Sequence, residues 1–437
     1  MRILDWNQLD AHARRAALER PAQRSRTEVE AVVRQIIAAV RAGGDGALRD
    51  YTQRFDAVTL ENLRVDPAEF AAAERAIAAP ERAALERAIA NVECFHRRQS
   101  LESLSVETSA GVRCERILRP IEAVGLYVPA GSAPLPSAVV MLAVPARIAG
   151  CPQRILCTPP DRTGRAHPAV LVAAQLCGID QVFKVGGAQA IAALAYGTES
   201  VPKVAKIFGP GNAWVTAAKQ VVAADPLGAA LDLPAGPSEV LVIADESANP
   251  QFVAADLLAQ AEHDVNAQAI LITPSATLAE AVRDALAQQR EHLSRRSILD
   301  RSLLESRCIV VADLAVALEV ANAYAAEHLI LQVREPRVLL ADVRNAGSVF
   351  LGAWSPEPMG DYCSGTNHVL PTYGYARAYS GLSVLDYLKR ITVQELTPEG
   401  LQSLGPTAVT LARLEGLDAH AAAVTCRLAR LAEGFDP

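Results

Sequence analysis

The stretch Glu239–Thr273, EVLVIADESANPQFVAADLLAQAEHDVNAQAILIT, carries one complete unit of the fold. It opens on the unbroken apolar run EVLVIAD and closes on a second, QAILIT. Short, continuous runs of Val, Ile and Leu are the pattern of strands buried on both faces, as in parallel sheets. Between them, Asn249-Pro250 supplies a cap and a first-turn proline, and Phe252, Val253, Leu257, Leu258 and Ala261 recur at helical spacing. Strand, helix and strand in that order predict a βαβ unit.

The same rhythm extends to both sides. AVGLYVPA, RILCTPP, QVFKVGG and KIFGPG fall between Val124 and Leu233, while CIVVAD, HLILQV and GSVFLG carry the pattern on to Leu351. Two α/β sets result, about Val124–Leu233 and Ser238–Leu351, joined at PAGPSEV and alike enough in rhythm to allow an old duplication. Upstream, Thr27 to Gln99 reads as helix: Val29, Val32, Val33, Ile36, Ile37 and Val40 share a face, Gly43-Gly44 stops it, and Pro67 and Pro80 open further helices. After Ser380 the sequence is helix-forming from Asp386 to Gly434, with a break at Leu396-Thr397-Pro398. The fold class is α/β.

A chain of 437 residues exceeds what one core usually supports, so two or three globular units are expected. With 51% apolar and 21% charged residues, the composition is that of a soluble globular enzyme. The net charge of -7, without any Lys/Arg run interleaved with aromatics, argues against nucleic acid and for small-molecule partners. The N-terminus lacks a signal-type apolar segment, and the most apolar window, Ala133 to Ala149, is broken by Pro134, Pro136 and Pro145. A cytoplasmic protein without membrane spans is expected. The eight cysteines form no CxxC pair, which argues against a thiolate zinc knuckle and a disulfide framework; Cys363 reads as a packed residue rather than a nucleophile.

Chemistry concentrates in Gly347 to Tyr375, GSVFLGAWSPEPMGDYCSGTNHVLPTYGY, which reads as an active-site loop carrying Asp361 and His368 seven residues apart. Its Gly352, Gly360, Gly365 and Gly374 allow close backbone approach to a ligand. Gln260 and His263 stand three apart near a helix C-terminus, where they share a metal or simply sit at the negative end of the dipole. Glu327-His328 directly precedes the run LILQV, as either an acid–base pair or a solvated Glu beside a buried His. His420, five residues after Glu415 in EGLDAHAAAV, looks by itself like an ordinary helical histidine. Together Gln260, His263, Asp361 and His420 make a nitrogen and oxygen set that suits divalent zinc. No GxGxxG follows a strand. Gly186-Gly187-Ala188-Gln189-Ala190 and Gly209-Pro210-Gly211-Asn212 do sit at strand-to-helix junctions, where free N–H groups receive phosphates, so a dinucleotide site is expected there.

With those residues assembled, the chain from about Arg26 onward resembles the histidinol dehydrogenase family. The resemblance rests on VGLYVPAGSAPLPS, VGGAQAIAALAYGTESVPKV, IFGPGNAWV, DLPAGPSEVLVIAD, QAEH, EHLI, GSVFLGAWSPE, GDYCSGTNHVLPT and EGLDAHAAAV. It implies two incomplete Rossmann-like three-layer domains with small helical N- and C-terminal extensions. The expected limits are 1–25 for the N-terminal extension, 26–123 with 238–380 for the first domain, 124–237 for the NAD-side domain, and 381–437 for the C-terminal extension. Carried over by position, Gln260, His263, Asp361 and His420 match zinc ligands, and Glu327 and His328 match the catalytic pair. Ser238, His368 and Glu415 match substrate contacts, beside the substrate-facing Gln260, His263, His328, Asp361 and His420; Tyr127, Gln189 and Asn212 match NAD contacts. Departures are confined to PAGSAP and to Asp264-Val265 after QAEH, away from every ligand position. The implied reaction is a zinc-dependent four-electron oxidation of L-histidinol to L-histidine through histidinaldehyde, using two NAD. The implied assembly is an intertwined homodimer in which Glu415 and His420 complete the partner's site. Within the same fold the alternative is a zinc- and NAD-dependent dehydrogenase of another small polar alcohol. From another class, the rival is a non-catalytic metal-binding protein on the same scaffold, against which the intact Glu327 and His328 stand.

Overall fold

Residues Glu239–Ala244 and Gln268–Thr273 pair as parallel strands with every residue buried, which is why their sequences show no polar alternation. They lie at the centre of a six-stranded sheet in the order Arg2–Asp5, Arg307–Val310, Gln268–Thr273, Glu239–Ala244, His328–Gln332, Ser348–Leu351, parallel throughout. Helices cover both faces. Pro250–Ala261, Ala276–Gln289 and Arg296–Ser302 pack on one, and Leu314–Tyr324 on the other. The computed structural model describes residues 1–20, 26–99, 102–130, 133–234 and 236–434.

A second parallel sheet runs Gln181–Lys184, Gln153–Thr158, Ala123–Tyr127, Lys206–Phe208, Ala230–Leu231. Numbered within each set, both sheets have the Rossmann order 3-2-1-4-5, with Arg2–Asp5 added at the edge of the larger one. The α/β class and the two Rossmann-like sets are therefore as the sequence led one to expect, and the repeated order gives substance to the likeness in rhythm. Helices Pro136–Ala149 and Pro168–Leu176 cover one face of the smaller sheet, Gly187–Tyr196 and Ala213–Ala223 the other.

The helices before residue 100 pack differently from the expected grouping. In the helical segment Arg26–Asp56 the buried Val33, Ile36, Ile37, Val40 and Leu48 join Phe183 and Ile191, and Ile89 and Val92 of Ala79–His96 join the core under Pro136–Ala149. They thus build on the smaller sheet, not on that of 238–380. Hydrophobic periodicity shows that a helix has an apolar face but not which sheet the face will cover. The region 1–25 likewise contributes a strand, Arg2–Asp5, besides the helix Ala11–Ala17; residues 21–25 lie outside the described ones. Gly43-Gly44 does interrupt the first helix, at a kink where Gly44 has φ 50° and ψ −133°.

These elements belong to a compact unit made of 1–99 and 121–387; a second unit comprises 100–120 and 388–437. The second unit is an antiparallel sheet of Leu104–Ser109, Val112–Pro120 and Leu388–Leu396, followed by helices Pro398–Leu414 and Asp418–Ala432. Helix was expected from Asp386 onward. Leu388–Leu396 is a strand instead, because its nine residues find a complete antiparallel partner in Val112–Pro120, a long-range pairing that local propensity does not register. Among the described residues no helix is long and apolar enough to cross a membrane.

Candidate active site

A cleft of about 1690 Å³ in the first unit is lined by Tyr127, Gln189, Asn212, Ser238, His263, Glu327 and His368, bringing together residues that the sequence places far apart. On the smaller sheet it meets the C-terminal ends of Ala123–Tyr127 and Lys206–Phe208, the point where strand order reverses and ligands bind in open α/β sheets. On the larger sheet it meets the opposite end, where Ser238 precedes one strand and Glu327 precedes another.

A cluster of side chains able to hold a metal ion is built from two helix ends. Helix Pro250–Ala261 finishes at Glu262, which leaves Gln260 fully buried and turns His263, just beyond the cap, open to the cleft. The short helix Glu357–Tyr362 places Glu357 and Asp361 four residues apart on one side. One ligand atom from each of His263, Glu357 and Asp361 lies within 4.8 Å of the others. With its amide nitrogen turned toward them, Gln260 donates to Glu357 Oε1 at 3.0 Å and lies 3.0 Å from His328 Nδ1. Burial pushes the Glu357 carboxyl up to about 8 against the opposing pull of His328. At Asp361 burial acts in the same direction, but the imidazoles of His328, His368 and His263 outweigh it and hold the carboxyl below its ordinary value. Although His263 is exposed by area, the protein around it lowers its pKa by desolvation, which Asp361 only partly offsets.

Glu327 and His328 are both buried, with His328 Nδ1 3.7 Å from Glu327 Oε2. Main-chain groups of Glu239 reach both: its N–H donates to Glu327 Oε2 at 2.8 Å, and its carbonyl lies 3.2 Å from His328 Nδ1. Burial raises the Glu327 carboxyl to about 8, opposed by His328 and by that N–H. Burial acts against charge on His328, but Glu357, Glu327 and Asp361 outweigh it and carry the imidazole to about 10. The other ring nitrogen, Nε2, lies 3.4 Å from Asp361 Oδ1 without a hydrogen bond closing, so a buried polar atom is left without a partner among the described residues. His368 Nδ1 stands 2.8 Å from the Asp361 carbonyl, and burial keeps its imidazole neutral by lowering the pKa. A donating Nδ1–H there leaves Nε2 as an acceptor.

On the smaller sheet, the Tyr127 hydroxyl accepts the Gly187 N–H at 3.0 Å, and burial pushes its pKa up to about 12, so it stays a neutral phenol. The helix Gly187–Tyr196 has no side-chain cap, and the buried Gln189 Oε1 is unpartnered among the described residues. Asn212 caps Ala213–Ala223 by accepting from Trp214 N and Val215 N at 3.1 and 3.2 Å. A Cβ at Gly209 (φ 126°) would stand 2.1 Å from the Tyr127 carbonyl oxygen, so only glycine lets the two strand ends meet.

Two expected residues belong to the second unit. Glu415 caps the C-terminus of Pro398–Leu414 and His420 lies on Asp418–Ala432, both exposed. Glu357 was not anticipated. Its i, i+4 spacing to Asp361 within SPEPMGDY was the available signal, hidden because the stretch reads as a loop. Glu239 was missed too, since it acts through main-chain atoms.

The donor set fits a divalent zinc ion: one imidazole and two carboxylates converge, and no cysteine belongs to the cluster among the described residues. The uncapped helix start, the glycine turns and the strand-order reversal fit a dinucleotide.

Comparison with known proteins agrees with this geometry. The family model for histidinol dehydrogenase matches residues 18–428. A histidinol dehydrogenase of Xanthomonas campestris pv. campestris is 58% identical over 98% of this chain and 99% of its own length. One from Vibrio parahaemolyticus is 53% identical over 99% and 100%. The crystal structure of histidinol dehydrogenase from Elizabethkingia anophelis superposes with a TM-score of 0.94 at 44% identity, covering 99% of this chain and 98% of that one. The chain belongs to the histidinol dehydrogenase family of oxidoreductases.

Proposed function

We propose that this protein oxidises L-histidinol to L-histidine in two successive two-electron steps at one site, with zinc bound and two NAD consumed. The observation that carries the reading is that one cleft is lined by His263, by Glu327 and by the glycine turns before the helices at Gly187 and Ala213, with Glu357 and Asp361 beside His263 and His328 beside Glu327. The alcohol gives up a proton and a hydride to become the aldehyde; the aldehyde adds water, and the hydrate gives up a second hydride and two protons to become the carboxylate.

Gln260, His263 and Asp361, with His420 from a partner subunit's chain, would hold the metal, and Glu357 stands beside them. Zinc bound there supplies a fixed positive charge that orients the amino alcohol and its imidazole. The strand-order switch point and the helix starts beside it would hold NAD, which would supply the hydride acceptor. Tyr127 fixes the turn at Gly187, while the Gln189 amide offers an acceptor to the cofactor's polar groups. His328 would be the base for the alcohol proton once a bound metal relieves the carboxylate charge that raises its imidazole: Nδ1 lies at the Glu239 carbonyl, which leaves Nε2, without a closed hydrogen bond, to take the proton. Glu327, held by one N–H and raised to about 8, takes up a proton near neutrality and is the base for the water that adds to the aldehyde. Ser238 and the neutral His368 face the cleft as substrate contacts, joined by Glu415 across a homodimer. The proposed setting is the cytoplasm.

The deciding experiment measures NADH formation by purified protein from histidinol beside other amino alcohols, before and after chelation and with zinc restored. Turnover selective for histidinol that chelation abolishes and zinc restores supports the reading. Equal turnover of alcohols lacking an imidazole makes this a dehydrogenase of another small polar alcohol.

A further inference from the structure

Glu239 touches both members of the acid–base pair through its own peptide groups, donating to Glu327 and meeting His328 with its carbonyl. Its side chain is held from outside the cleft. Arg20 forms a two-point ion pair with it, Nη2 to Oε2 at 2.9 Å and Nε to Oε1, with side-chain exposures of 7% and 3%. Arg20 Nη2 also donates to the Tyr324 carbonyl at 2.9 Å, and the guanidinium stands 4.0 Å from the centroid of the Tyr324 ring. The Tyr324 hydroxyl donates at 2.8 Å to Gln268, whose amide reaches back to the Glu19 carbonyl at 3.2 Å. The Glu239 carboxylate further accepts the Tyr373 N–H at 2.9 Å. Neither Arg20 nor Glu239 lines the cleft.

Stability is a poor explanation for such a pair, since apolar residues of similar volume commonly replace a buried ion pair without loss. What a bidentate guanidinium–carboxylate contact adds is orientation: it fixes the carboxylate plane and, through the side-chain torsions, the backbone it hangs from. At Glu239 that backbone carries the hydrogen bonds to Glu327 and His328.

We propose that Arg20 and Glu239 are positioning residues for the Glu327–His328 pair, their ion pair setting the Glu239 peptide groups at the angles both oxidation steps require. The inference rests on the roles given to that pair above.

Full-length, zinc-loaded Arg20→Lys and Glu239→Gln enzymes test it. The first keeps the charge and loses the two-point geometry, and the second keeps the shape and loses the charge. Per folded, metal-loaded site, kcat for histidinol and for histidinaldehyde should both fall about tenfold or more, while KM for histidinol stays within about twofold. Combined with His328→Asn in the alcohol step, or with Glu327→Gln in the aldehyde step, Arg20→Lys should cost little beyond the second change alone. A crystal structure of the Arg20→Lys enzyme should show Glu327 and His328 displaced. Additive losses, an undisplaced pair, or an effect confined to thermal stability and folded yield overturns the proposal. Should the wild-type protein leave histidinol untouched, the functional reading fails separately, and the displacement in the crystal still decides the positioning role.

Discussion

At the scale of single residues the site is a set of carboxyl and imidazole groups whose charges are decided by one another. Glu327 and Glu357 are raised to about 8 by burial, whereas Asp361 is lowered because three imidazoles surround it. Those opposite shifts assign different work to chemically similar groups. Replacing His328 by Asn should lower alcohol oxidation by roughly 10²–10⁴-fold, the span typical for loss of a positioned base. Glu327→Gln should impair aldehyde oxidation more than the first step; stopped-flow measurement of the two half-reactions separates these outcomes, and equal losses in both would reverse the assignment. Glu357→Gln should weaken zinc binding by about 10–100-fold, as removal of a ligand or of a group bonded to one does; metal content after dialysis against a graded chelator reads it. In the sequence Asp361 with His368 was the strongest local signal, whereas Gln260 with His263 and Glu327 with His328 each left an ordinary structural reading open until the family resemblance gave them roles. Glu357 did not stand out, since one more acid in a loop-like stretch carries no periodic signal, and Glu239 could not, since its contribution lies in peptide atoms common to every residue.

At the scale of elements, short-range chemistry sets the limits of each segment and long-range packing decides where it goes. Asn249 and Pro250 start the helix that ends at Ala261, and Pro67 starts another behind its cap Asp66; both starts were expected from the sequence. The kink at Gly44 shows what such a local signal accomplishes. It turns Asp45 onto the segment 198–200, where Asp45 N–H donates to Glu199 at 2.7 Å and the Asp45 carboxylate accepts from Thr198 Oγ1 at 2.7 Å and from Ser200. A Cβ at Gly44 would stand 2.3 Å from a Glu199 oxygen, at a φ of 50° that L-residues resist. Gly44→Ala should therefore destabilise the protein by about 1–3 kcal/mol, seen as a lower denaturation midpoint. Burial tends to raise the Asp45 carboxyl, but the Ser200 and Thr198 hydroxyls and the Ser200 N–H hold it below the ordinary value. A depressed folded pKa stabilises above the unfolded value of about 4 and loses that stabilisation as pH falls through the folded pKa. Asp45→Asn should accordingly be less stable than wild type at neutral pH, with the difference shrinking under acid. The strand Leu388–Leu396 marks where such reading stops: nothing in its own residues announces the hairpin strand that it pairs with.

At the scale of the whole molecule, two sheets of identical strand order present opposite ends to one cleft, the smaller offering its C-terminal switch point and the larger the residues before its central strands. The α/β class was legible because doubly buried strands have a distinctive composition. Which helices cover which sheet was not, because an apolar face does not name its partner. The proposed dimer makes a prediction at this scale. His263 and His420 belong to different units of the chain, and if the second completes the partner's metal shell, inactive His263→Ala and His420→Ala proteins should complement each other when unfolded and refolded together. One of the two sites in the mixed dimer would then hold every ligand, and zinc-dependent activity should reappear; proven heterodimers no more active than either parent would show a site built within one chain. The central claim, that adjacent Glu327 and His328 serve two successive oxidations in one cleft, is tested most directly by stoichiometry. With histidinol limiting and NAD in excess, the account requires two NADH for each histidinol consumed and histidine as the product. One NADH, with the aldehyde accumulating, would contradict it.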